Sequence, residues 1–179
     1  MKADRILQGA LALMLVAFCG ALYTQLHQTI VNAGDSAPNF TITTDSGKTV
    51  TVHDFGGKLL LLNFWATWCP PCVEEIPGLN ELATQLGPKG LVILGVSVDT
   101  PDSHKQFCTK EGLTFRLLAD PEHKVVDAYG SLGHFGPMTI ASRNTFLIDP
   151  QGKIVKVWTK VDVQHHSEEV LAAIDELKK

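Results

Sequence analysis

The sequence predicts a three-layer α/β domain with a mixed central sheet, and three features carry that expectation. Two nearly continuous apolar runs, Leu59-Leu60-Leu61-Leu62-Asn63-Phe64 and Leu91-Val92-Ile93-Leu94-Gly95-Val96-Ser97-Val98, have the length and composition of strands buried on both faces. Helix-period segments lie between and after them, the alternation that builds parallel crossovers. Two turn signals, Asp45-Ser46-Gly47 and Asp149-Pro150-Gln151-Gly152, each join strand-like runs and predict antiparallel hairpins.

Taken in order, residues 40–44 and 49–52 form the first hairpin, an N-terminal extension of the domain. The strand at 59–64 follows Gly56-Gly57. A helix begins near Pro70, because proline tolerates a first turn whose N–H groups lack partners. It continues through Val73, Ile76, Leu79, Leu82, Ala83 and Leu86, and Pro77 kinks it without ending it. After the strand at 91–98, Asp99-Thr100-Pro101-Asp102 turns into a helix from Ser103 to Glu111, which stops at Gly112. A strand at 115–118, a short helix at 122–129 and a Gly-rich loop at 130–137 follow. Strands at 145–148 and 154–158 form the second hairpin, and a helix at 166–177 closes the chain with Val170, Leu171, Ile174 and Leu177 on one face.

The N-terminus points to a compartment. Lys2 and Arg5 precede an uncharged run over residues 6–26, and His27 is the next residue able to carry charge. Positive residues before the run and none just after it imply an inside N-terminus with the rest outside. Residues 1–27 are therefore expected to be a membrane anchor or signal segment, 28–37 a linker and 38–179 the folded domain. Val31-Asn32-Ala33 resembles a cleavage site but lies far from the apolar block, so an uncleaved anchor is the preferred reading. Phe18 is too bulky to precede a lipidated Cys19, which reads as an apolar residue of the span. The 179 residues carry a formal net charge of −4 with no basic cluster, which argues against nucleic acid. Only four cysteines are present, too few for a disulfide-stapled scaffold.

Two of those cysteines carry the chemistry. Trp65-Ala66-Thr67-Trp68-Cys69-Pro70-Pro71-Cys72 sets two thiols one helical turn apart, where an apolar strand becomes a helix. Such a dithiol can close to a disulfide and reopen. At the helix N-terminus, free N–H groups and the positive dipole end favour a thiolate, lowering a cysteine pKa from about 8.5 to roughly 3.5–7.5. Cys69 is the expected nucleophile, and Cys72, one turn further in, the resolving thiol that releases a mixed disulfide. A structural zinc site needs a second ligand pair, which Cys19, Cys108 and His104 do not supply. A purely structural disulfide closing so short a loop would contribute little. Cys108, four residues after His104, reads as a buried apolar residue, with a metal ligand or a distant resolving thiol as the alternatives. His165 and His166 read as solvated, Glu74 and Glu75 as acids in the first turns of the helix, and His134 as part of the Gly-rich loop.

From about Gly34 to Lys179 the chain resembles thioredoxin-fold proteins of the alkyl-hydroperoxide-reductase and thiol-specific-antioxidant superfamily. Phe64-Trp65-Ala66-Thr67-Trp68-Cys69-Pro70-Pro71-Cys72, with Glu75 and Pro77, is similar to membrane-anchored thiol-disulfide oxidoreductases that serve cytochrome c maturation. The resemblance implies a Cys69–Cys72 redox disulfide supported by Trp68, Pro70 and Pro71, with no further cofactor, and an acid at Glu75 that tunes it. It also implies a monomer that reduces disulfides of exported proteins with electrons from a membrane thiol carrier. One position departs from the thioredoxin pattern. Where a cis-proline faces the dithiol, two residues ahead of Thr145-Phe146-Leu147-Ile148, this chain has Arg143. Arginine there resembles peroxiredoxins of the bacterioferritin-comigratory type, as do Gly95-Val96-Ser97-Val98-Asp99, Ser103-His104-Lys105, Leu117-Leu118-Ala119-Asp120 and Ala128-Tyr129-Gly130. Their Pro-x-x-x-Thr-x-x-Cys frame is absent: aligned on Cys72 the two positions are Trp65 and Cys69, and aligned on Cys69 they are Leu62 and Ala66. Peroxide reduction is thus the second function implied, and copper or zinc carriage by the cysteine pair the third. Arg143 has two readings, a guanidinium that favours the thiolate or a surface residue.

Overall fold

The computed structural model describes residues 13–20, 30–44, 46–159 and 161–177. The chain divides into two units, 1–30 and 31–179. In the first, residues 13–20 are helical and exposed. The rest of the segment expected to be an anchor lies outside the described residues, and among those described no helix is long and apolar enough to cross a membrane.

The second unit is built on a seven-stranded sheet of order β2-β1-β5-β4-β3-β8-β9. Its strands are β1 (Thr41–Thr44), β2 (Thr49–Thr51), β3 (Leu59–Phe64), β4 (Leu91–Ser97), β5 (Arg116–Ala119), β8 (Thr145–Ile148) and β9 (Ile154–Trp158). The helices are α1 (Pro70–Leu86), α2 (Pro101–Glu111), α3 (Lys124–Ala128) and α4 (His166–Glu176). β3 runs parallel to β4 and antiparallel to β8, and β4 runs parallel to β5, so the sheet is mixed with its most apolar strands at the centre. The N-terminal hairpin extends it, β1 pairing antiparallel with both β2 and β5. Strand alternation divides the core. Leu61 packs with Leu79, Leu82 and Leu86 of α1 and Val170 and Ile174 of α4. Phe64 points the opposite way and packs against Tyr129 and Phe146. Helices therefore cover both faces.

The structure corrects several boundaries. α2 starts at Pro101, two residues ahead of the expected Ser103, because Thr100 is the cap: its side-chain oxygen accepts from the Ser103 N–H. α3 is shorter than expected, and Asp120 sets its start by accepting from the N–H groups of Lys124, Val125 and Val126 at 2.8 to 3.0 Å. The Gly-rich loop is a separate antiparallel hairpin, β6 (Leu132–Phe135) with β7 (Met138–Ala141), turning at Gly136, whose φ of 59° suits glycine. Residues 34–37, expected as linker, are hydrogen-bonded to the β8–β9 hairpin through Gly34, Asp35 and Ala37. On α4 the buried face is centred on His166, Val170, Ala173 and Ile174, while Leu171 and Leu177 face outward.

Candidate active site

The site is assembled at the carboxyl ends of β3 and β4. β3 stays in register with the sheet one residue past its end, the Trp65 N–H donating to Val96 O at 3.0 Å. Trp65 is buried against β4 because Gly95 leaves room: a Cβ there would sit 2.7 Å from Leu117 Cδ2 and 2.9 Å from Trp65 Nε1. The loop that follows is tied to the end of β4. Thr67 N–H donates to Asp99 Oδ2 at 2.9 Å, which also accepts from Ser97 Oγ at 2.8 Å. Ser97 Oγ in turn lies 2.7 Å from Nε2 of His104, a fully buried ring stacked on Trp65. The approach to the dithiol is thereby pinned from both sides.

Cys69 is the N-cap of α1, with extended backbone, and its Sγ accepts from the Cys72 N–H at 3.3 Å. Pro70 and Pro71 occupy the first helical positions, where a missing N–H costs nothing. Cys69 and Cys72 are joined by a disulfide, with Cα atoms 5.3 Å apart. The two sulfurs are unequal: Cys69 is half-buried, whereas Cys72 is 4% exposed and packs with Trp65, Ile76, Phe107 and Leu117. Trp68, just before Cys69, is half-exposed, and its ring lies 6.3 Å from that of Phe135, so the β6–β7 hairpin flanks the motif; His134 is exposed on the same strand.

Behind the dithiol lies a closed group of polar side chains. Glu75, one turn after Cys72 and so on the same side of α1, is 5% exposed. Burial pushes its carboxyl up to about 7, against the opposing effects of a hydrogen bond from Asn63 and the charge of Arg143. Arg143 is half-buried in the turn ahead of β8. The solvated reading of His166 needs correction. His166 is fully buried, with Nε2 3.4 Å from Glu75 Oε1 and 3.1 Å from Thr145 Oγ1. Burial lowers its pKa to about 4. Glu74, by contrast, is exposed, and so is His165, which pairs with Asp162.

Cys108 is half-buried and, like Cys69, packs against the cluster that contains Cys72. Nε2 of His104, one turn earlier on α2, is engaged with Ser97. Among the described residues no group of three or more His, Cys, Asp or Glu is arranged to hold a metal ion. Sequence reasoning missed Asn63, Thr145, His166 and the Ser97-Asp99-His104 tie. Asn63 had a visible signal, as the one polar residue in an apolar strand, and His166 another, as the first position of the 166-170-174 stripe of α4.

Residues 33–157 match the AhpC/TSA family. The chain belongs to the AhpC/TSA family. Among curated members, the thiol-disulfide oxidoreductase ResA of Geobacillus thermodenitrificans is 36% identical over 167 residues, covering 89% of this chain and 91% of that protein. A Coxiella burnetii protein named as a peroxiredoxin, bcp, is 36% identical over 149 residues, covering 80% of this chain and 99% of its own. Among solved structures, a cysteine-to-serine mutant of PrxQ from Xylella fastidiosa superposes with a TM-score of 0.78 at 29% identity, over 84% of this chain and 99% of that one. This AhpC/TSA member is therefore an oxidoreductase of thioredoxin-like fold, with relatives on both the thiol-disulfide and the peroxiredoxin side.

Proposed function

We propose that the protein is a thiol-disulfide oxidoreductase that reduces disulfides of exported proteins, held at the outer face of a membrane by residues 1–27 and recharged by a membrane thiol carrier. The observation that carries this reading is the asymmetry of the pair: a half-exposed Cys69 at a helix N-terminus joined to a buried Cys72. In the reduced protein the Cys69 thiolate attacks a substrate disulfide, forms a mixed disulfide and expels one substrate thiolate. Cys72 then loses its proton and attacks Cys69 Sγ. The Cys69–Cys72 bond closes, the second substrate thiolate leaves, and two electrons have passed to the substrate. The similarity to a thiol-disulfide oxidoreductase, ResA, and the placement of Trp68 at the lip of the site support this reading, and cytochrome c maturation is the role proposed with it. The purified protein with Cys72→Ser is expected to retain exported proteins as mixed disulfides on Cys69; a variant that traps none, while the wild type reduces none, overturns the reading.

A second reading, peroxide reduction, rests on Cys108. Structures of Xanthomonas campestris peroxiredoxin Q include serine mutants at two cysteines 36 positions apart, the spacing of Cys72 and Cys108 here. In this reading the Cys72 thiolate takes an oxygen from the peroxide and releases the alcohol or water. The Cys108 thiol then displaces water from the sulfenic acid and forms a disulfide. Peroxide turnover that survives Cys69→Ser and is lost in Cys108→Ser supports it, and turnover insensitive to both removes it.

A further inference from the structure

His166 is fully buried and lies against the acid behind the dithiol. Its protonation follows from counting protons. Thr145 Oγ1 donates its single hydrogen to Asn63 Oδ1 at 3.1 Å, so toward His166 it can only accept. Nε2 of His166 therefore carries the N–H. That proton is given to Thr145 Oγ1, and the same edge also lies 3.4 Å from Glu75 Oε1, an oxygen with no hydrogen-bond partner of its own. Asn63, its oxygen used by Thr145, has its amide N–H left for Glu75. On the far side of the ring Nδ1 is buried without a partner, so a second proton there would have no acceptor. The ring also packs edge-on against Trp158 at 5.3 Å, which fixes its plane. Gly78 allows this approach: a Cβ there would lie 2.9 Å from Ser167 Oγ, so the glycine lets the first turn of α4 settle on α1.

We propose that His166 is a positioning residue of the dithiol reaction, a fixed neutral imidazole whose Nε2–H edge lies against Glu75 and keeps its carboxylate ready to take the proton of Cys72. The proposal rests on the thiol-disulfide reading above, since it concerns the step in which Cys72 loses its proton and displaces the substrate. Glu75 follows Cys72 by one helical turn on the same side of α1, where Cβ atoms of such pairs lie about 5–6 Å apart. The groups that face the pair are few. α1 presents Glu75 and the dithiol, the turn ahead of β8 presents Arg143, and β3, β8 and β9 present the uncharged Asn63, Thr145 and Trp158. From α4, His165 turns outward to Asp162. Arg143 is thus the one facing cation among the described residues; Asn63 supplies a directed N–H, and His166 sets the N–H edge of its ring 3.4 Å from the carboxylate.

The test is a single turnover of the reduced, full-length protein with an aromatic disulfide that releases a coloured thiolate. The first release reports attack by Cys69, the second displacement by Cys72. In the wild type the second release should rise with pH around the Glu75 value of about 7. His166→Phe keeps a ring against Trp158 but removes the N–H edge, and should move that midpoint up by about one pH unit, as expected for losing a close N–H contact to a charged group, with the first release unchanged. His166→Gln restores an N–H and should return the midpoint. In a Glu75→Gln background, His166→Phe should add nothing. A folded His166→Phe variant with an unmoved midpoint, or equal displacement by Phe and Gln, overturns the proposal. If His166→Phe does not fold, Thr145→Val removes the competing acceptor and should move the midpoint down; a midpoint that stays or rises overturns it. Absence of any second release in the wild type would instead count against the oxidoreductase reading. The coupling would then be read from carbon-13 NMR titration of the Glu75 carboxyl, where no difference between wild type and His166→Phe overturns it.

Discussion

At the scale of single residues, the chemistry is set by where each sulfur and each proton acceptor sits. Cys69, at the start of α1, is the more exposed sulfur and Cys72 faces the core, so the first attack and the second displacement are assigned by burial before any pKa is considered. Glu75 is the acid available to the buried sulfur. Replacing it with Gln keeps the shape and hydrogen-bonding capacity but removes the base, and general-base contributions run to 10²–10⁴. Glu75→Gln is expected to slow resolution of a mixed disulfide by about 100-fold at pH 7 and to leave the initial attack by Cys69 within a factor of about 3. Quenched-flow trapping of the mixed disulfide distinguishes the two steps.

At the scale of elements, the site depends on a loop fixed between two strand ends. The Asp99 carboxylate holds Thr67 N–H and Ser97 Oγ together, so Asp99→Ala is expected to cost about 1–2 kcal/mol in denaturant unfolding. Gly95→Ala tests the other support. Its Cβ would collide with Leu117 and with the Trp65 indole, both buried, and overpacking of this kind costs about 1–3 kcal/mol; thermal unfolding should show a lower midpoint. The central strands and α1 were legible in the sequence because their signals are local: unbroken apolar runs, turn residues, and a proline at a helix start. The β6–β7 hairpin was not, because Leu132-Gly133-His134-Phe135 and Met138-Thr139-Ile140-Ala141 lack clear alternation and their pairing is set by the Gly136-Pro137 turn. His166 was misread for a related reason. A His-His pair at a helix start looks solvated, and only the phase of α4 on α1 shows that one ring turns inward and its neighbour outward.

At the scale of the whole molecule, the buried pair links stability to pH in two opposing ways. Glu75 has its native pKa raised from 4.5 to about 7, so across that window the native state holds a proton the unfolded chain has released, and stability falls as pH rises. His166 has its native pKa lowered from 6.5 to about 4, so in that window the unfolded chain takes up a proton the native state refuses, and stability rises with pH. Where the windows overlap the two slopes oppose each other, and the pair itself contributes little net pH dependence between 4.5 and 6.5. Removing either partner exposes the other. Glu75→Gln should gain stability with rising pH from 4 to 6.5, and His166→Phe should lose it from 4.5 to 7, each by up to about 1.4 kcal/mol per pH unit. Urea midpoints at half-unit pH intervals read both slopes. The family match says that the molecule is an AhpC/TSA oxidoreductase; the polar group between α1 and α4 lies behind its sulfur pair.

The central claim is that electrons pass to a protein disulfide through Cys69 first and Cys72 second. Intact-mass analysis of the Cys72→Ser and Cys69→Ser variants, reduced and then mixed with a disulfide-bonded exported protein, tests it most directly. The account predicts a stable covalent adduct on Cys69 in Cys72→Ser and none in Cys69→Ser; adduct formation on Cys72, or on Cys108, with Cys69 left free would contradict it.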